Sequence, residues 1–227
     1  MGRLAVILGS NGLGPGGEDV AATAAGHGVQ VLQRHESEGA YTLPHRIDHP
    51  ANMRALGEQG CERVLAIGSV GSLHAELAVG SLVCPDDFIA LHLGLSIFED
   101  ARGHGTRGFD PHWRGRVLAA WEEVEASPLR DGGVYWQAIG PRFETPAEIR
   151  LIAAHADVIG MTVAAECIAA AELGLHYAPI CVVDNLANGI GPEPLSLAEF
   201  EAGREASAEA LATALGSVVP RLAEVPA

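Results

Sequence analysis

The residues best suited to chemistry in this chain cluster in residues 139–166, IGPRFETPAEIRLIAAHADVIGMTVAAE. Within Gly140-Pro141-Arg142-Phe143-Glu144-Thr145 an aromatic ring stands beside a carboxylate. Phe143 can stack on a flat ring, and Glu144 can accept hydrogen bonds from that ring's N–H groups. Gly160-Met161-Thr162 follows twenty residues after Gly140, and Asp184-Asn185 later adds a carboxyl and an amide. Three other places are suited to holding an anion. The turn Leu8-Gly9-Ser10-Asn11-Gly12-Leu13-Gly14 exposes backbone N–H groups, and Ser10 or Asn11 adds a side-chain donor. Arg34-His35 ends an apolar run, where the Arg fork grips an oxyanion. Gly68-Ser69-Val70-Gly71-Ser72-Leu73 has the small residues that a close backbone approach requires.

Short β-branched and Leu-rich runs alternate with Ala-rich segments, the pattern of an α/β sheet. Strands are predicted at 3–8, 29–33, 63–67, 80–84, 86–91, 133–138, 156–159 and 177–183, and helices at 50–59, 112–125, 146–154, 163–173 and 197–216. Thr145-Pro146-Ala147-Glu148 and Ser196-Leu197-Ala198-Glu199 read as capping boxes, which puts Leu197 and Phe200 on the first turn of the last helix. Gly174 reads as the stop of helix 163–173. The Gly-rich 101–109 is a loop by composition.

With 227 residues and 48% apolar content, the chain suits one domain over 1–227 with a sizeable core. Its mean hydropathy of +0.18 argues for a well-packed globule. A net charge of −15 makes nucleic acid a poor partner. It also means that any anionic substrate must be held by a local set of donors. Cys61, Cys84, Cys167 and Cys181 are widely spaced, without a CxxC pair, so neither a zinc knuckle nor a disulfide framework is expected. Glu166 interrupts the longest apolar stretch, so no membrane span is expected, and MGRLAVILGS is too short a unit for a signal peptide. A cytoplasmic protein is the expectation.

The blocks Gly140–Thr145 and Gly160-Met161-Thr162 resemble the base-pocket and ribose–phosphate elements of the purine nucleoside phosphorylase and methylthioadenosine phosphorylase superfamily. The Gly9–Gly14 turn is similar to its phosphate turn, and Arg34-His35 to the phosphate-binding pair of its methylthioadenosine branch. Leu43-Pro44-His45-Arg46-Ile47-Asp48-His49-Pro50-Ala51-Asn52 resembles that branch's Pro-His-x-(Ile/Val)-x-Tyr-x-x-Asn block. There His45 and His49 line the ribose side or order a subunit contact, the latter preferred for His45. Three places depart from the superfamily: Gly68-Ser69 stands for Asn-Ala, Leu197 for a His that binds a 5′-hydroxyl, and Ile139 for a polar residue.

The resemblance implies an α/β phosphorylase/hydrolase-like fold, with a mixed, partly barrel-like central sheet flanked by helices. It implies a pentosyltransferase: phosphate attacks C1′ of a purine nucleoside, giving free purine and a pentose 1-phosphate. Ser10 or Asn11, Arg34, His35, Ser69 and Thr162 hold phosphate; Phe143, Met161, Asp184, Leu197 and Phe200 contact substrate; Asn185 and Glu144 carry catalysis at the base. Asn185 opposite N7, with Glu144, suits a 6-oxopurine, because adenine presents a lone pair at N1 and a donor at N6. Leu197 suits a 5′-methylthio group over a hydroxyl. Phosphate is the co-substrate, with no metal or organic cofactor, and a homotrimer (or hexamer) is implied, residues 101–109 reaching a neighbour's site. The alternatives are a purine nucleosidase that uses water, for which Arg34-His35 has no need, and a catalytically silent nucleoside-binding protein.

Overall fold

Apolar residues at successive positions of β1 (Arg3–Leu8) bury both of its faces. Alternate side chains point opposite ways along a strand. Leu4, Val6 and Leu8 therefore enter one core cluster, Ala5 and Ile7 another. This computed structural model describes residues 2–9, 16–37, 40–124, 126–192 and 195–224. After β1 come α1 (Gly16–Gly26), β2 (Gln30–Gln33), the hairpin β3 (Glu36–Ser37) and β4 (Ala40–Tyr41), α2 (His49–Glu58) and β5 (Cys61–Ser72). Next are β6 (Leu82–Cys84), β7 (Asp87–Ile89), α3 (Pro111–Glu122), β8 (Leu129–Asp131) and β9 (Val134–Gln137). The chain continues through α4 (Pro146–Ile152), β10 (Val158–Gly160), α5 (Val163–Glu172), β11 (His176–Leu186) and α6 (Leu197–Glu224).

Among the described residues nine strands form one mixed sheet. Its spine is β5, which pairs in parallel with β11 along nearly its whole length. The other edge of β5 is shared: its start pairs in parallel with β1, and its end antiparallel with β10. That split curls the sheet into a half-barrel, the mixed architecture expected from the sequence. Helices α1, α3 and α6 cover one face, where Trp113, Val117, Leu215 and Val219 pack. Helices α2 and α5 cover the other, with Met53, Leu56, Ala164 and Cys167.

The predicted strands and helices all have counterparts, with shifted ends. β5 and β11 run further than the apolar runs 63–67 and 177–183, through Gly68-Ser69 and Asp184-Asn185. α1, the β3–β4 hairpin and the three-residue β8 carry too little apolar periodicity to be read from sequence. The capping box at Thr145 is present, its hydroxyl accepting from Glu148 N. Gly174, at φ +74°, ends α5 as expected. All four cysteines are buried and free.

Candidate functional site

Where β5, β10 and β11 end together, they floor a pocket of about 410 Å³. β5 supplies Ser69, Val70 and Gly71; the β10–α5 junction supplies Gly160, Met161 and Thr162; the end of β11 supplies Asn185. The segment after β9 adds Phe143 and Glu144, and the first turn of α6 adds Leu197 and Phe200. Arg34 and His35, just past β2, line it as well. Residues scattered from 34 to 200 thus meet at one cavity because the strands that carry them are neighbours in the sheet.

Arg34 is 3% exposed and held on three sides. Its Nε and Nη2 donate to Glu166, the second bond at 2.9 Å, and its Nη1 donates to Ile67 O at 2.8 Å. Burial lowers its pKa, but the charge and hydrogen bonds of Glu166 reverse that and raise it, so the guanidinium stays cationic. Burial pushes the Glu166 carboxyl up, and Arg34, His49 and the 2.7 Å bond from Tyr177 Oη more than offset it, keeping the group ionised. His35 Nδ1 lies 2.8 Å from Thr42 O, and its ring stacks on Tyr41 with centroids 5.2 Å apart. Burial lowers its pKa, leaving a neutral ring.

The rings of Phe143 and Phe200 lie 5.7 Å apart and form an aromatic wall of the pocket. Outside the pocket, Arg142 pairs with Glu148 at 2.7 Å, anchoring the loop so that Phe143 and Glu144 face inward. Asn188 Nδ2 donates to Glu144 O at 3.1 Å and fixes its backbone. Burial raises the pKa of the Glu144 carboxyl. Asn185 Nδ2 donates one hydrogen to Leu186 O at 2.9 Å and keeps a second. Gly71 leaves room for it, since a Cβ there would lie 3.1 Å from Asn185 Nδ2. Thr162 makes no cap bond with its hydroxyl; Tyr135 Oη and Gln137 Oε1 accept from the first N–H groups of α5 instead.

Ten of the residues singled out from sequence therefore line this one cavity: Arg34, His35, Ser69, Phe143, Glu144, Met161, Thr162, Asn185, Leu197 and Phe200. Ser10 and Asn11 lie outside the described residues, although Gly9, which opens their turn, borders the pocket. Asp184 does not border it. A bulge between Val183 and Asn185 turns Asp184 toward a separate cavity of about 30 Å³, shared with Ser69, Arg204 and Leu211. His49 lines neither the pocket nor the surface: it is 5% exposed, with Nδ1 3.9 Å from Glu166. His45 is exposed on a short 3₁₀ turn. Reading the residues one by one misses Glu166, Tyr177, Tyr135 and Gln137, which hold the pocket's walls from behind. Glu166 alone gave a signal, because a charge inside an apolar helical run needs a buried partner.

A buried cation, an aromatic wall and a floor of strand ends make this a small-molecule pocket. The chain belongs to the Phosphorylase superfamily, whose family model matches residues 7–220. It is 40% identical over 184 residues to a probable 6-oxopurine nucleoside phosphorylase of Archaeoglobus fulgidus, covering 81% of this chain and 75% of that protein. It is 34% identical over 213 residues to a probable S-methyl-5′-thioinosine phosphorylase of Xanthomonas campestris pv. campestris, covering 90% and 84%. Among solved structures, methylthioadenosine phosphorylase from Schistosoma mansoni in complex with adenine is similar with a TM-score of 0.81. That match covers 100% of this chain and 93% of that one at 20% identity, a likeness of fold.

Proposed function

We propose that the chain catalyses phosphorolysis of a purine nucleoside, releasing free purine and a pentose 1-phosphate. The observation that carries this is the placing of Arg34 and Asn185 around one cavity of about 410 Å³. Arg34, His35, Ser69 and Thr162 hold phosphate, joined by Ser10 or Asn11. The purine lies against Phe143, its N7 and O6 toward the Asn185 amide, with Met161 under the ribose. As the glycosidic bond stretches, negative charge grows on the purine and positive charge on the sugar. Asn185 stabilises the first, and phosphate stabilises the second before attacking C1′. Donors aimed at developing charge in this way typically contribute about 10²–10³ in rate. The Asn185 amide meets the negative charge and phosphate itself meets the positive one, so phosphate is the only co-substrate and no metal or organic cofactor takes part.

The names of the Archaeoglobus and Xanthomonas relatives support a 6-oxopurine base and a 5′-methylthio group respectively. Asn185 with Glu144 supports the base choice from the residues. The protein works in the cytoplasm as a homotrimer, residues 101–109 reaching a neighbour's pocket; among the described residues no helix is long and apolar enough to cross a membrane. The test is purine release from inosine, guanosine, methylthioinosine and methylthioadenosine, each with and without phosphate. Release should require phosphate, favour the 6-oxopurines, and need far more phosphate in Arg34→Ala. Equal turnover without phosphate makes the protein a nucleosidase, and faster cleavage of methylthioadenosine than methylthioinosine overturns the base assignment.

A further inference from the structure

Glu166 sits in the first turn of α5 and is 1% exposed. Its fork to Arg34 cancels the Arg34 charge before any anion arrives. Of the five Arg34 N–H groups, two go to Glu166 and one to Ile67 O, which leaves one on each terminal nitrogen. The Arg34 end of the pocket thus offers donors carried by an ion pair with no net charge. A doubly charged oxyanion placed there is attracted by Arg34 and repelled, from further away, by Glu166, which weakens the net attraction.

His49, the first residue of α2, is placed to correct this imbalance. Its Nδ1 is buried, lies 3.9 Å from Glu166 Oε1, and has no hydrogen-bond partner among the described residues. Four charged or titratable groups act on it: Glu166 from α5, Arg34 and His35 from beyond β2, and Asp48 from the cap of its own helix. Burial, then Arg34 and His35, lower its pKa, while Glu166 and Asp48 raise it. The lowering side prevails, so the ring is neutral while the pocket is empty. New negative charge beside Arg34 adds to the raising side.

We propose that His49 takes up one proton from solvent when an oxyanion occupies the Arg34 end of the pocket, pairing with Glu166 and relieving its repulsion of the anion. This rests on the reading that Arg34 receives phosphate. His49 touches neither substrate nor reacting atom; it is a positioning residue that acts through Glu166 and Arg34. His35 is the competing acceptor, since its Nδ1 is committed to Thr42 O and only its other nitrogen can charge.

Sulfate is the probe, because it stays a dianion across neutral pH while phosphate brings a titration of its own. Calorimetric titration of the protein with sulfate near pH 7, in two buffers of different ionisation enthalpy, reads the protons taken up. The wild type should take up about half to one proton per sulfate, and sulfate affinity should fall as pH rises, by at most about tenfold per unit. His49→Gln should still bind sulfate, about three- to tenfold more weakly at pH 6.5, with uptake near zero. In the wild type, the ring nitrogens of His49 should move to their imidazolium resonances on saturation with sulfate, a readout that stands if His49→Gln fails to fold. Wild-type uptake persisting in His49→Gln would assign the proton to His35 and overturn the proposal, as would sulfate binding without uptake. Failure of sulfate to bind at all would instead remove the oxyanion reading on which the proposal rests.

Discussion

Asp184 and Asn185 are neighbours with different surroundings, and Asp184, turned away from the pocket, yields an expectation of its own. Burial pushes the Asp184 carboxyl up to about 6, against the opposing influence of the nearby Ser69 hydroxyl and Arg204. An acid whose folded-state pKa is raised keeps its proton longer in the native state than in the unfolded chain. Native stability therefore falls as pH climbs from about 4 to about 6, and the loss is complete above that. Asp184→Asn removes the dependence, so the variant should gain on the wild type between about pH 4.5 and 7.5, by at most about 3 kcal/mol. Melting curves at both pH values check this, and an unchanged difference contradicts it. Leu197 is 64% exposed at the pocket rim and is the residue proposed to favour a 5′-methylthio group. It should give methylthioinosine a kcat/KM several-fold to roughly tenfold above inosine's, from about 0.8 kcal/mol per buried methylene-sized group. Leu197→His should narrow or reverse that gap in parallel assays of the two nucleosides; a wild type that prefers inosine refutes it. Arg34, Phe143 and Asn185 are legible in the sequence because each brings its own chemistry to a strand end or loop. Glu166 and Tyr177 are not, because their meaning depends on Arg34, which is 132 residues from Glu166 and meets it only through the sheet.

The start of α5 shows how two elements share one task. Tyr135 Oη accepts from Thr162 N at 3.2 Å and Val163 N at 3.3 Å, while Gln137 Oε1 accepts from Ala164 N at 3.0 Å. β9 thus caps α5, and the Thr162 hydroxyl is left to the pocket. Tyr135→Phe leaves those N–H groups without an acceptor and should cost about 1–3 kcal/mol in urea unfolding. Gly160 lies against the same hydroxyl, since a Cβ there would come 2.5 Å from Tyr135 Oη. Gly160→Ala should therefore cost clearly less in the Tyr135→Phe background than in the wild type, and strict additivity would refute the contact. None of this is visible in the local pattern, which starts the helix at residue 163 and gives no reason to look to residue 135. What local pattern does fix is the run of apolar strands and the helix at 146 with its capping box. What it misses is α1, whose sequence begins with two glycines and shows a weak apolar stripe.

The protein carries a net charge of −15, yet its proposed co-substrate is an anion. The overall field should slow the approach of phosphate and leave an uncharged nucleoside unaffected. Salt screens such a field over about 10 Å at 0.1 M, so raising ionic strength with a non-competing salt should lower the KM for phosphate modestly while that for nucleoside stays constant. A phosphate KM that rises with salt would contradict this and mean that local positive charge, not the overall field, governs approach. The sheet has a further consequence, for the order in which the molecule can be made. β5 is complete by residue 72, but its partner β11 is more than a hundred residues later, and α6, which covers one face, comes last. During synthesis the edge of β5 that pairs with β11 must wait unpaired until more than a hundred further residues have been made. The central pairing of the sheet therefore forms late, and the pocket, whose lining includes Asn185, Leu197 and Phe200, is among the last features to assemble.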